Sequence, residues 1–88
     1  MTESSLVAEA QQCSVLFRLG RDVEAALLMV RICSDVQSAM GRENVEVQSR
    51  WTALLTDMLA RQEALDWLAL ADYLDHELPQ LLEADVAG

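Results

Sequence analysis

From Leu65 to Leu82 the chain reads LDWLALADYLDHELPQLL, and within it Trp67, Leu70, Ala71, Leu74, Leu78, Leu81 and Leu82 recur at steps of three and four. That period gathers the seven onto one face of an α-helix, whereas a strand would scatter them over both of its faces. Asp66 stands just ahead, where a carboxylate can accept the first free backbone N–H groups and fix the start. The opposite face carries Asp72, Asp75, His76, Glu77 and Gln80, and no Lys or Arg follows Arg61. Such a helix is stable only against apolar partners, which the rest of the chain must supply.

It does so with the same period. A first helix over about 4–19 starts at Ser4 or Ser5 and turns Leu6, Ala10, Cys13 and Phe17 to one side; Gly20 ends it in the left-handed conformation that glycine adopts without penalty. A second, over 22–40, begins with Asp22 as cap and Glu24 in the first turn, both suited to the positive end of the helix dipole. Its apolar residues fall on two stripes, Val23, Leu27 and Val30 on one and Ala25, Met29, Ile32, Val36 and Met40 on the other. An arc that wide predicts the central, most buried helix, with Arg31 and Asp35 paired on a narrow exposed side. Gly41 and the polar GREN break close it. Asn44 then caps a third helix, 44–63, carrying Val47, Trp51, Leu54 and Met58.

The junction at Ala64–Asp66 contains neither Gly nor Pro. A turn is expected there on length alone, because one helix from Asn44 to Leu78 would run about 52 Å at ~1.5 Å per residue. The fourth helix, 66–82, contains Pro79, which removes a backbone donor and crowds the carbonyl of Asp75; a kink or a restart is the consequence. Residues 84–88 are expected to fray. No stretch alternates with period two. The reading is therefore a single all-α domain over 1–88, a small antiparallel four-helix bundle made of two helical hairpins. Its expected core is Phe17, Val23, Leu27, Val30, Ile32, Val36, Trp51, Leu54, Met58, Leu70, Leu74 and Leu78. FRLGRDVEAALLMV also resembles a tetratricopeptide-type hairpin junction, but the two junctions lie about 45 residues apart where that repeat has a period of about 34.

Composition narrows the function classes. Six Arg, no Lys and fifteen acids give a net charge of −9, which repels nucleic acid and anionic lipid, and no apolar run is long enough to span a bilayer. The chain is expected to be soluble and cytoplasmic, with no nucleic-acid or membrane partner. Cys13 and Cys33 lie outside any C-x-x-C spacing and read as small buried hydrophobes, with a disulfide or reactive thiol as the alternative. Asp72 and His76, four apart on one helical face, offer an oxygen and a nitrogen to a metal, yet nothing completes the coordination, and an exposed His paired with carboxylates is the simpler account. There is no nucleophile elbow and no glycine-rich phosphate loop. No catalytic residue, metal ligand or cofactor is assigned. Trp51 and Trp67 are read as core residues with partner contact as the alternative, and Tyr73 as the rim of an interface.

Binding remains. The segment RWTALLTDMLARQEALDWLALADYLDHELPQLL, Arg50 to Leu82, about a third of the chain, resembles the flagellar and type III secretion export chaperones. The resemblance implies a short, acidic, cytoplasmic helical protein that holds export substrates or binds parts of the export apparatus. The expected role is thus a non-catalytic accessory or chaperone module, with simple self-association as the alternative. A homodimer or a helical partner would cover the excess apolar arc. The candidate partner-binding residues are Asp72, Tyr73, Asp75, His76 and Glu77, part of a negative strip with Glu83.

Overall fold

A computed structural model describes residues 2–82, with side chains from residue 6 onward; the expected frayed tail and Glu83 lie outside the described residues. Helices α1 (Thr2–Arg18), α2 (Asp22–Met40) and α3 (Val45–Glu63) are followed by α4 (Trp67–Asp72), a π-helical segment (Tyr73–Glu77) and α5 (Leu78–Leu81), which run on as one rod. No strand occurs among the described residues. The all-α bundle of two hairpins expected from periodicity is the observed fold, with a radius of gyration of 12.1 Å, the compactness usual for this length.

The two hairpins turn by the same device. At the end of α1 the Gly20 amide donates to the Phe17 carbonyl at 3.1 Å and the Arg21 amide to Leu16 at 2.9 Å, with Gly20 at φ 79°. This is a Schellman turn, in which a left-handed residue lets the chain close on the last free carbonyls. After α3, Leu65 donates to Gln62 at 3.0 Å and Asp66 to Arg61 at 2.9 Å, with Leu65 itself at φ 59°. The turn expected at Ala64–Asp66 is there, formed by a residue with a Cβ in a conformation that costs about 1–2 kcal/mol. Asp66 then caps α4, its carboxylate accepting from the Ala69 amide at 3.2 Å. At the other end of the molecule Asn44 accepts from the Val47 amide at 2.9 Å, and the Gln48 amide group donates to the carbonyls of Met40 and Glu43, tying the start of α3 to the end of α2.

Several local expectations are corrected. Thr2 already lies in α1, so Ser4 and Ser5 sit inside the helix and do not cap it. The N-cap of α2 is Arg21, which makes no side-chain capping bond, and Asp22 is the first helical residue. Arg31 pairs with Glu9 of α1 at 3.5 Å in place of Asp35. The largest correction concerns α2. Ala25, Met29, Ile32, Val36 and Met40 are its buried stripe, while Val23, Leu27 and Val30, expected in the core, are 74%, 69% and 64% exposed.

The reason lies in α1. This helix, and not α2, is the hub, packing against α2 on one side and the fourth-helix rod on the other. Ala10, Cys13 and Ser14 give α1 a flat, small-residue surface, and Ala25 of α2 approaches so closely that the Cys13 thiol donates to its carbonyl at 3.2 Å. A bulky stripe facing α1 there would hold the helices apart. Phe17 stacks on Trp67 with ring centroids 5.5 Å apart and planes within 12°, which brings the two hairpin turns to the same end of the bundle. α3 attaches through Val47, Trp51 and Met58, with Leu54 half-buried, and the Trp51 indole N–H donates to the Gln37 side chain at 2.7 Å.

Candidate functional site

The rod after Asp66 presents the surface singled out in the sequence. Leu70, Ala71, Leu74 and Leu78 are fully buried, so their opposite face is fixed outward. Pro79 shapes that face. An α-helix through it would leave the Asp75 carbonyl without a donor and in collision with the ring. The chain resolves this by widening: over Tyr73–Glu77 it takes π geometry, the Leu78 amide donating five residues back to the Tyr73 carbonyl. Leu81 and Leu82 still point inward, as expected, and Pro79 is buried with them. The outcome is neither a simple kink nor a restart. A π segment often marks a functional position, because it displaces side chains from the ordinary helical register.

The five candidate residues separate into two groups. Asp72 and Asp75 both accept from the same Arg18 nitrogen of α1, at 2.9 and 3.0 Å, and the Arg18 Nε lies 3.3 Å from the hydroxyl of buried Ser14. The two carboxylates, Asp72 first, push the guanidinium pKa further upward, so it stays cationic. The negative strip is therefore interrupted. Asp72 and Asp75 are taken up by an internal clamp between α1 and the rod, from a cation 54 and 57 residues away in sequence.

Tyr73, His76 and Glu77 remain. Tyr73 is half-buried and forms a ridge between two shallow concavities, whereas His76 and Glu77 are exposed and take part in no ion pair among the described residues. On the α3 side a groove of about 380 Å³ is lined by Arg50, Ala53, Leu54, Asp57, Glu77 and Leu81 together with Tyr73. On the other side a concavity of about 440 Å³ is lined by Ala69, Asp72, His76 and Glu77, again with Tyr73. Leu54 and Leu81 give the first groove an apolar floor, and Asp57 and Glu77 place carboxylates at its rim. Sequence reasoning reached Tyr73 and Glu77 but not the α3 wall; its only signal was that Arg50, Leu54 and Asp57 recur on one helical face.

Other chemistry finds little support in the geometry. Asp72, one half of the conceivable metal pair, is held by Arg18, and among the described residues no group of three or more His, Cys, Asp or Glu stands together as a metal site. Cys13 and Cys33 are free thiols. Burial, with the neighbouring Cys33 adding to it, pushes the Cys13 thiol up to about 12, and burial pushes Cys33 up to about 11. Neither is a thiolate near neutrality, which is the form a nucleophile or metal ligand needs. No helix among the described residues is long and apolar enough to cross a membrane. Comparison of the chain with protein-family models, with curated proteins and with solved structures gives no match.

Proposed function

We propose that this chain is a non-catalytic protein-binding module, an accessory or export-chaperone protein of the flagellar or type III secretion kind, acting in the cytoplasm as a homodimer. The observation that supports binding is the groove beside Tyr73, where an apolar floor of Leu54 and Leu81 is bordered by two carboxylates, Asp57 and Glu77, and by one guanidinium, Arg50. That lining suits a partner segment that sets one or two basic side chains among aliphatic ones. The aliphatic contacts would hold the complex, while the exposed carboxylates would act on the association rate and weaken with salt. The Arg50–Leu82 resemblance to export chaperones agrees with this, since those residues form both walls of the groove.

The test is capture from a bacterial lysate by the immobilised protein. One or a few partners should be enriched by the parent and lost on Tyr73→Ser combined with Glu77→Lys, with helicity unchanged. Reversal of Asp72 or Asp75 is a poor probe, because it would break the Arg18 clamp. Recovery of the protein alone would leave the second reading, self-association as the whole role, which the exposed face of α2 favours.

A further inference from the structure

On α2 the residues Val23, Leu27 and Val30 follow one another at steps of four and three, on the side of the helix opposite its buried stripe. Their exposure, 64% or more in each case, makes this a second apolar seam on a helix already packed on its first. The four-three step is the repeat of a coiled-coil seam, in which each apolar residue inserts between residues of a facing helix. What faces it can be argued from the flanks. Glu24 and Arg31 each directly follow a seam residue and stand seven apart, so they lie on the same side of the seam. The corresponding positions on its other side are Ala26 and Cys33.

In a parallel pair of α2 helices, each charged flank would meet the partner's opposite flank, which offers only Ala26 and Cys33. In an antiparallel pair, like flanks meet, so Glu24 of each copy faces Arg31 of the other and the two ion pairs form together. With the two-fold axis beside Leu27, Val23 of one copy meets Val30 of the other and the two Leu27 side chains meet each other. An isologous contact of this kind closes after two copies. Both charged ends already hold pairs within the chain, which the dimer would exchange for the intermolecular ones. Arg31 is held to Glu9 at 3.5 Å, longer than an ordinary hydrogen bond, and Glu24 pairs with Arg21 on the surface.

We propose that two copies of this chain associate through an antiparallel α2 to α2 seam of Val23, Leu27 and Val30, with register set by reciprocal Glu24 to Arg31 pairs. This deepens the self-association reading and is independent of the groove beside Tyr73. The patch is small beside the ~800 Å² per partner of a standard interface, so the dimer is concentration-dependent.

Sedimentation equilibrium across a concentration series reads it. The parent should rise toward twice 9.8 kDa, and Leu27→Glu should stay at 9.8 kDa with unchanged helicity. Glu24→Arg alone and Arg31→Glu alone should each weaken the dimer about tenfold at low salt, one by facing Arg with Arg and the other Glu with Glu. An equimolar mixture of the two variants should form a heterodimer, and the double exchange in one chain should restore self-association. A parent still monomeric at about 1 mM overturns the proposal and leaves the seam to a different protein. A dimer indifferent to Leu27→Glu, or single charge variants that the mixture fails to rescue, overturns the seam or its antiparallel register. None of these outcomes bears on capture at the Tyr73 groove, which is read by the lysate experiment.

Discussion

Val30 and Ile32 are two residues apart on one helix and similar in chemistry, yet Ile32 is fully buried and Val30 is 64% exposed. Ile32→Ala removes three carbons from a site closed on every side, where the loss of transfer energy and the cavity left behind cost about 2–5 kcal/mol. A domain of this length has roughly 4–13 kcal/mol in all, so that is about a seventh of its stability at the least and can be most of it. Val30→Ala removes carbons that already face water, and Ala is the better helix former by a few tenths of a kcal/mol, so the change should stay within about 0.5 kcal/mol. Thermal unfolding followed by circular dichroism, at a concentration where the protein is monomeric, separates the two. At ~4–8 °C per kcal/mol the Ile32 variant should melt at least about 8 °C below the parent and the Val30 variant within about 4 °C of it. Equal losses at the two positions would mean that α2 turns a different face to α1 than the one described.

The two hairpin turns should respond with opposite signs. Gly20→Ala meets no atom within 4 Å yet must hold φ near 79°, a net cost of about 1 kcal/mol, whereas Leu65→Gly relieves a left-handed leucine and should stabilise by up to about 1 kcal/mol; urea midpoints read both. The cysteines give a pH signature. Their folded pKa values, about 12 for Cys13 and about 11 for Cys33, lie above the ordinary 9.0, so the stability they contribute is complete below pH 9.0 and is lost as pH rises through the folded values. A Cys13→Ala, Cys33→Ala variant should show a shallower alkaline loss of melting temperature between about pH 9 and 12, and in the parent a thiol reagent at pH 8 should react far more slowly with native than with unfolded protein.

What the sequence made legible, and what it did not, follows the range of the forces involved. Helix limits near Gly20, Asn44 and Asp66 were readable because capping is chemistry between residues a few positions apart, and the structure bears them out at Asn44 and Asp66 through the bonds to Val47 and Ala69. The turn at Leu65 carries no such residue signature. It was reachable only through the length of helix a small domain can hold. The inward face of α2 was not readable at all, since both of its stripes are apolar. Volume at the closest approach decides between them: Ala25 fits against Cys13 of α1, and Val23 and Leu27 are left outside. That choice depends on a neighbouring helix, so no count of apolar residues along α2 contains it.

The candidate site divides along the same line. Its acidic character is local and was evident, but the partner of Asp72 and Asp75 is Arg18, brought up by the hairpin topology and by the stacking of Phe17 on Trp67. The clamp changes what the surface can do. Two of its carboxylates now fasten the rod to α1, and the charge free to meet a partner moves along the helix to Glu77 and across the groove to Asp57. The π turn ahead of Pro79 lies between these two roles. It begins one residue after Asp72 and ends on Glu77, so the backbone that fits the proline into the core also carries Tyr73, His76 and Glu77 out of the plain helical register. A single proline thus links the packing of Leu78, Leu81 and Leu82 below to the shape of the groove above. Any partner that reads Tyr73 and Glu77 together is reading a geometry that an uninterrupted α-helix of the same sequence would not present.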